Sequence, residues 1–309
     1  MAIYRGRRDF AATIDAVAER LGVSSAIVEK DYWVTQALRV LARDFSGDFI
    51  FKGGTSLSKG YGLIERFSED VDILIIQRDS KNATHTLMKQ MADAVETELG
   101  GPVIVESSTT GIHRNARVMY PARKEQGGLQ PGVLLEAGVR GGPQPCERLS
   151  IGCLIGSSLG DASTTYEDLR PFDVDVLHPG RTLMEKLSLL HSRIGVDAEA
   201  AGVLRYVRHY YDVHQLLGDD RVLEVLRDRA EFERILESMR QVNDQWYGGA
   251  EVRPATGWAT SAAFDTGGPH YENLRAEYDA TMAELYLGRQ APPALDVIYA
   301  RIAELADLL

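Results

Sequence analysis

The spacing of apolar positions predicts helices and strands in the first half of the chain. Apolar residues recur at helical spacing over residues 9–21, and again from about 25 to 41 behind a serine that can cap the helix. Shorter apolar runs follow, interrupted by one longer helical pattern at 81–99 that ends at glycines. These runs predict strands at 49–51, 70–76, 102–107, 112–121, 132–140 and 172–177, with an irregular stretch at 141–170 before the last of them.

From Arg181 onward the helical spacing is almost continuous. It predicts helices near 181–193, 201–217, 220–240, 270–288 and 292–307, with a break at 243–269. The fold class expected from both halves is α+β and bilobed, with a mixed sheet flanked by helices and then an all-helical domain. The predicted domains are 1–179 and 180–309, divided close to Pro179.

Charge is distributed unevenly along the 309 residues. The net charge of −11 argues against a protein that coats nucleic acid non-specifically. Residues 1–124 carry 17 Lys and Arg against 16 Asp and Glu, whereas residues 125–309 carry 17 against 29. A surface for a polyanion is therefore expected to be local and in the first half. A solvated acidic helical face explains the second half equally well.

The remaining composition is that of a cytoplasmic protein. Cys146 and Cys153 match neither a disulfide framework nor a zinc site, so two free thiols in a reducing compartment are expected. No apolar run approaches the roughly eighteen residues needed to cross a bilayer, so no membrane partner is expected. The N-terminal residues include arginines without a following apolar region, which argues against a secretory signal.

Two aspartates on one predicted strand are the first candidates for chemistry. Asp70 and Asp72 are two residues apart, so their carboxylates project to the same face, about 6–7 Å apart at the backbone. Such a pair is a suitable mount for Mg²⁺, which prefers carboxylate oxygens, water and phosphate. Alone, the pattern is more often a solvated strand. Asp173 and Asp175 repeat it without the glycines described next, and we expect them to lie at an exposed edge.

A glycine turn precedes the aspartates by about fifteen residues. Gly53, Gly54, Thr55 and Ser56 follow the 49–51 strand, and Thr55 can cap a brief helix over 56–61. Glycines there allow a close approach of backbone to phosphate, and the hydroxyls add donors. Positive charge is supplied nearby by Lys52, Lys59 and Arg66. The order of residues excludes a Walker A loop. An ordinary strand-to-helix turn is the alternative, but a glycine turn followed by paired carboxylates is more specific than either part.

The run FKGGTSLSKGYGLIERFSEDVDILI resembles the signature of the AbiEii/AbiGii (MenT-like) nucleotidyltransferase family, the toxins of type IV toxin–antitoxin systems. The segment Glu29–Leu38 is similar to the N-terminal helix of that family. Further downstream, TLMEKLSLLH and RHYYDVHQL resemble its lysine-bearing helix and its D-x-x-D-L-like element. The second acidic position of that element is Gln215 here. The resemblance spans roughly residues 24–217, and its first segment carries most of it.

The resemblance implies a nucleotidyltransferase-like sheet and a set of catalytic residues. Asp70, Asp72, Lys186 and Asp212 are the predicted catalytic residues, and Asp70 and Asp72 are expected to hold Mg²⁺ or Mn²⁺. The predicted nucleotide-binding residues are Lys52, Gly53, Gly54, Thr55, Ser56, Lys59 and Arg66. Alternatives stay open for Lys186, as a surface lysine, and for Asp212, as the partner of Arg208 in an ion pair one helical turn apart.

Two further sets of ionisable residues bear on this site. Glu136, an acid within an apolar strand, is a candidate third metal ligand, although a salt bridge to Arg140 or Arg117 explains it as well. His209 and His214 lie about 140° apart around a helix, so they are not expected to form a metal site. For both, a solvent-exposed or capping role is expected.

The expected activity is transfer of a nucleoside monophosphate from a nucleoside triphosphate to an acceptor, with release of pyrophosphate. The resemblance implies a toxin that acts on RNA, plausibly the tRNA acceptor end, and a cognate antitoxin protein. A small-molecule nucleotidyltransferase of the aminoglycoside-modifying type is one alternative, and a nucleotide-binding module without turnover is another. A kinase-like reaction on Thr55, Ser56 or Ser58 is a further possibility. We also expect the helical half to close over the glycine turn.

Overall fold

A computed structural model describes residues 2–195 and 206–309. The chain forms two compact units. The first consists of Met1–Gly60 and Ser68–Val176, and the second of Tyr61–Phe67 and Leu177–Leu309. No helix among the described residues is long and apolar enough to cross a membrane.

A seven-stranded mixed sheet organises the first unit, in the order β3-β4-β5-β2-β1-β7-β6. The strands are β1 Phe49–Lys52, β2 Val71–Ile75, β3 Val103–Thr109, β4 His113–Val118, β5 Val133–Gly138, β6 Cys146–Ile151 and β7 Phe172–Leu177. Strand β2 runs antiparallel to β1 and parallel to β5, while β1 and β7 are parallel. Strand β4 is antiparallel to both β3 and β5.

The helices of this unit are α1 Phe10–Leu21, α2 Ser25–Asp44, α3 Gly53–Lys59, α4 Lys81–Leu99 and α5 Leu154–Leu159. Ser24 caps α2 and Ser80 caps α4, each by accepting a hydrogen bond from a backbone N–H of the first turn. Helices α2 and α4 pack on the sheet. Along β2 and β5, buried positions such as Val71, Ile73 and Leu135 alternate with the partly exposed Asp72 and Glu136. The polar residues of these strands therefore share the face opposite the apolar core.

The second unit is built from helices. They are α6 Pro179–Leu190, α7 Arg208–Leu216, α8 Asp220–Arg227, α9 Arg229–Trp246, α10 Tyr271–Leu285 and α11 Leu295–Glu304. Its core is rich in aromatic residues, including Tyr210, Phe264 and Tyr299, whose rings contact one another. The segment Tyr61–Phe67 is held in this unit by backbone bonds on either side of the end of α10, from Phe67 N to Leu285 O and from Leu287 N to Glu65 O.

The predicted α+β fold class, with a mixed sheet flanked by helices and a helical second half, is confirmed. Several predicted elements differ in detail. The stretch 141–170, predicted irregular, contains β6 and α5. The helix predicted at 56–61 begins earlier, at Gly53, so that Thr55 lies inside its first turn.

Differences also occur among the helices of the second half. The single helix predicted at 220–240 is two, because Asp228 leaves the helical conformation and caps α9, accepting from the N–H groups of Ala230 and Glu231. The helix predicted at 201–217 is present as Arg208–Leu216, and residues 201–205 lie outside the described residues.

Candidate active site

Gly53 brings the glycine turn into direct contact with the aspartate strand. Strand β1 ends at Lys52, which pairs with Asp72 on β2, and α3 starts at the next residue. Gly53 has a φ of +77°, and a Cβ placed on it would lie 1.9 Å from Asp72 Oδ2. No side chain fits in that space, so glycine is required there on both conformational and steric grounds. The turn and the carboxylate predicted from the sequence are therefore adjacent.

The hydroxyls of the glycine turn are buried and bonded within the first unit. Thr55 Oγ1 donates to Ser68 Oγ at 2.9 Å, and Ser56 Oγ donates to the Gly53 carbonyl at 2.8 Å. Both side chains have no exposed surface. These bonds fix the shape of the turn, and contact between either hydroxyl and a nucleotide stays a prediction.

A row of polar residues crosses the sheet from the turn. Lys52 pairs with Asp72, Asp72 with Glu136, and Glu136 with Asn115, so the four residues lie side by side on successive strands. Asn115 Nδ2 donates to Glu136 Oε1 at 3.0 Å. Arg117, an alternative partner for Glu136 in the sequence, bonds to Glu106 instead. In this register Asp72 and Glu136 are the two inner residues of the row.

The electrostatics of the row centre on Glu136. Burial, a hydrogen bond with Asp72 and the negative charges of Asp72 and Asp70 raise the pKa of Glu136 to about 8, while Lys52 opposes the shift. The charges of Asp70 and Asp72 therefore act on Glu136, and a metal-binding role for the three carboxyl groups stays a prediction. Among residues 2–195 and 206–309, however, no three His, Cys, Asp or Glu side chains are arranged to hold a metal ion.

The charged run at residues 29–31 of α2 is a feature whose role sequence reasoning missed. Lys30, which is 1% exposed, forms an ion pair with Glu69 at 2.8 Å beside Asp70, and it donates to the Gln130 carbonyl. Glu29 is fully buried and accepts from the backbone N–H groups of residues 123 and 124. Three consecutive charges directly before the apolar run of α2 were the available signal, since buried charges require partners.

Lys59, a predicted nucleotide-binding residue, completes this group. Its ammonium forms an ion pair with Asp31 and donates to Thr35 Oγ1 and the Gly152 carbonyl. An ammonium has three donors, so a contact with nucleotide would require one of these partners to be exchanged. The nucleotide-binding role of Lys59 stays a prediction.

In the second unit, Arg66, Lys186 and Asp212 form a buried cluster. Arg66 Nε and Nη2 donate to the two oxygens of Asp212 at 2.6 and 2.7 Å, and Lys186 Nζ donates to Asp212 Oδ2 at 2.8 Å. Their side chains are 2%, 8% and 0% exposed. Lys186 is thus not a surface lysine, and Asp212 pairs with Arg66 and Lys186. The fork of the arginine and the carboxylate match in geometry, which is typical of strong pairs.

The ionisation of this cluster follows from its neighbours. Burial alone would raise the pKa of Asp212, but the charges of Arg66 and Lys186 hold it well below its ordinary value. Burial lowers the pKa of Lys186, and Asp212 opposes that shift. The cluster is therefore one carboxylate shared by two cations.

His209 joins the same cluster, contrary to expectation. Its Nδ1 lies 3.1 Å from Lys186 Nζ and 3.4 Å from Asp212 Oδ2, and its side chain is 13% exposed. Burial and the charge of Lys186 lower the pKa of His209 to about 3. The prediction of a solvent-exposed or capping histidine is wrong for this residue. Its position three residues before Asp212, on the same helical face, was the only signal in the sequence.

Comparison with known proteins gives one family. Residues 38–301 match the model of the family described as nucleotidyl transferase AbiEii toxin, type IV toxin–antitoxin system. Among solved structures, MenT4, a nucleotidyltransferase toxin from Mycobacterium tuberculosis H37Rv, is similar at 18% identity and a TM-score of 0.43. That match covers 86% of this chain and 98% of the other. No curated protein matches the chain.

Proposed function

The chain belongs to the AbiEii family of nucleotidyltransferase toxins of type IV toxin–antitoxin systems, and from this premise we propose that it transfers a nucleoside monophosphate to an RNA acceptor. The donor is a nucleoside triphosphate. An acceptor hydroxyl attacks the α-phosphorus, the bond to the β-phosphate oxygen breaks, pyrophosphate leaves and the hydroxyl releases its proton. The acceptor end of tRNA is the proposed target, and a cognate antitoxin protein in the cytoplasm is the proposed partner.

The observation that carries this proposal is the contact between Gly53 and Asp72. Transfer of a phosphoryl or nucleotidyl group depends mainly on positioning and on neutralisation of negative charge. The missing side chain at Gly53 lets the Asp72 carboxylate lie directly against the turn, whose backbone N–H groups at the start of α3 would bind a phosphate, and Lys52 contributes a positive charge in the same row. Lys52 and Gly53 belong to one strand-turn-helix element, and Asp72 lies on the strand paired with it, so the sheet fixes their relative positions.

A divalent cation, Mg²⁺ or Mn²⁺, fits the chemistry of the donor set. Asp70, Asp72 and Glu136 offer the hard carboxylate oxygens that these ions prefer. Crowding of their negative charge contributes to the raised pKa of Glu136, and a bound cation would relieve that crowding. When bound, the cation would supply charge neutralisation at the triphosphate. Asp70 and Asp72 would hold it, with Glu136, oriented by Asn115, as the candidate third ligand once these side chains turn toward a shared ion.

Roles for the remaining predicted residues are proposed separately for each unit. In the first, Gly54, Thr55 and Ser56 would contact the departing pyrophosphate, and Lys59 is retained as a predicted contributor. In the second, Lys186 would neutralise phosphate charge, with Asp212 and Arg66 in the cluster that surrounds it. Each role predicts that substitution of the residue lowers the rate of nucleotidyl transfer by more than any loss of folded protein accounts for.

Incubation with each of the four α-labelled triphosphates, total tRNA and Mg²⁺ tests the proposal. Label is expected on tRNA with the wild-type protein and is expected to be lost in Asp72→Asn. The matched control is Asp173→Asn, which changes the exposed first aspartate of the second Asp-x-Asp in the chain and should label normally. Labelling of a small hydroxylated acceptor alone would contradict the RNA acceptor. Growth inhibition that persists in folded Asp70→Asn and Asp72→Asn variants would contradict catalysis altogether.

A further inference from the structure

Two protein groups hold the ammonium of Lys186 within the second unit. Lys186 lies on α6, and both groups lie on α7: Asp212 Oδ2 at 2.8 Å and His209 Nδ1 at 3.1 Å. The α7 residues are three positions apart, so they share one face of the helix. An ammonium carries three N–H donors and no acceptor. Among the described residues these two atoms are its only acceptors, so one donor is uncommitted.

The geometry also identifies the form of His209. The shorter contact of Nδ1 is with the ammonium, which can only donate, so we assign Nδ1 as the acceptor and place the proton of the neutral ring on Nε2; the longer contact of Nδ1 with Asp212 Oδ2, at 3.4 Å, then carries no hydrogen bond. Burial and the neighbouring ammonium keep the ring neutral, since they lower its pKa to about 3. The ring also stacks on Tyr206, at 6.2 Å between centroids and 30° between planes. The ring is therefore held in place as a neutral acceptor.

The charges of the cluster favour an anion. Arg66 and Lys186 are cationic, Asp212 is anionic and His209 is neutral, which leaves one net positive charge in a buried place. Arg208 adds positive charge nearby. A buried N–H donor without an acceptor is costly, and an anionic oxygen on the uncommitted donor of Lys186 would supply that acceptor.

We propose that His209 is a positioning residue that, together with Asp212, directs the third N–H of Lys186 toward a phosphate oxygen of the triphosphate or of pyrophosphate. This inference rests on the proposed function of Lys186. His209 does not itself touch the phosphate. It holds the ammonium in one orientation, because it accepts a hydrogen bond from an N–H that would otherwise donate to water and leave the lysine free to rotate.

Two substitutions at position 209 separate hydrogen bonding from packing. In His209→Asn the amide oxygen can occupy the place of Nδ1 and accept from Lys186, whereas His209→Leu keeps a similar volume without an acceptor. Binding of inorganic pyrophosphate, measured by calorimetry on the full chain, is expected to weaken about tenfold in His209→Leu, the usual effect of losing a hydrogen bond to a charged group. His209→Asn should stay within about threefold of the wild type. His214→Leu is the control, because His214 lies on the same helix and its Nδ1 has no partner among the described residues.

A double-mutant cycle tests whether His209 acts through Lys186. In a Lys186→Met background, His209→Leu should cause no further loss of pyrophosphate affinity. Equal affinity in wild type and His209→Leu, equal losses in the Asn and Leu variants, or the same tenfold loss in the Lys186→Met background would each overturn the proposal. Pyrophosphate binding does not depend on turnover, so absence of tRNA labelling with an intact cycle would count against the acceptor and leave this inference standing.

Discussion

At the scale of the residue, Gly53 shows how a single missing side chain shapes the candidate site. Its backbone is left-handed, and its Cα lies against the carboxylate of Asp72. These are two separate reasons for glycine. The conformational cost of an L-residue there is about 1 kcal/mol, whereas a Cβ 1.9 Å from Oδ2 requires Asp72 to move.

Gly53→Ala is therefore expected to abolish nucleotidyl transfer and to lower the free energy of unfolding by more than the conformational cost alone. Gly22→Ala is the matched control, because Gly22 has a φ of +72° with open space around its Cβ position. It should cost only about 1 kcal/mol and leave transfer unchanged. Urea unfolding and the labelled-triphosphate assay measure both effects. Equal unfolding losses in the two variants would show that the collision with Asp72 has no energetic consequence.

His209 gives a prediction for the dependence of stability on pH. In the unfolded chain its pKa is about 6.5, and in the folded chain burial and Lys186 lower it to about 3. Below pH 6.5 the unfolded chain therefore binds a proton that the folded chain does not, and stability is lost as the pH falls toward 3. At about 1.4 kcal/mol per pH unit, the loss between pH 6.5 and 4.5 is about 2 kcal/mol.

His209→Asn should remove that part of the acid sensitivity. Chemical denaturation at pH 6.5 and at pH 4.5, in wild type and variant, gives the comparison. The window lies above the ordinary pKa of Asp212, whose own lowered pKa contributes a loss only at more acidic pH. If the two proteins lost the same stability between these pH values, His209 would not be the buried neutral group that the geometry indicates.

At the scale of the element, apolar periodicity was sufficient to predict whether a segment is a helix or a strand where that segment buries a continuous face. Helices α2 and α4 and strands β1 and β2 were predicted correctly in type because their apolar spacing and capping residues agree. Strand β6 was missed, since it has only one buried residue and its position depends on the sheet rather than on its own pattern. The break between α8 and α9 was missed because the apolar spacing continues across Asp228 and gives no sign that the helix ends there.

From the sequence, only site residues that are close together along the chain could be predicted to lie close together in the fold. Asp70, Asp72 and the glycine turn lie within one short stretch, so their proximity could be inferred. The pairing of Glu136 with Asn115 depends on strand register, and the contact of Arg66 with Asp212 joins residues 146 positions apart. His209 was misjudged because its partner Lys186 lies on another helix. Long-range partners of buried charges leave no periodic signal in a single sequence.

Asp228→Ala tests the break between α8 and α9. The carboxylate accepts from two N–H groups that have no partner within the helix, so its loss is expected to reduce the free energy of unfolding by about 1 kcal/mol. Asp220→Ala is the control, because Asp220 is an exposed residue in the first turn of α8 that is not its N-cap. Thermal unfolding of both variants measures the difference, and an Asp220→Ala loss as large as that of Asp228→Ala would attribute the effect to charge alone.

At the scale of the whole molecule, the chain enters the second unit twice. Tyr61–Phe67 belongs to it, although both flanking segments belong to the first unit. Arg66 is the buried anchor of this short segment, through its two bonds to Asp212. The hydroxyl oxygen of Tyr211 accepts a hydrogen bond from the backbone N–H of Glu65, and the hydroxyl of Tyr286 donates to the Glu65 carboxylate. The segment that connects the glycine turn to Asp70 is therefore fixed by side chains far along the sequence.

Asp212→Ala should release this anchor. It would leave Arg66 and Lys186 buried without their shared carboxylate, which is expected to cost about 3–5 kcal/mol, and the freed Arg66 should become a site for trypsin. Limited trypsinolysis with mass spectrometry would then detect cleavage after Arg66 in Asp212→Ala but not in the wild type, where Arg66 is 3% exposed. Asp219→Ala removes the N-cap of α8 and a partly exposed ion pair to Arg221 in the same unit, and it should cost about 1–2 kcal/mol without new cleavage. Protection of Arg66 in a folded Asp212→Ala protein would mean that the backbone bonds to the end of α10 suffice to hold the segment, and that the carboxylate serves Lys186 alone.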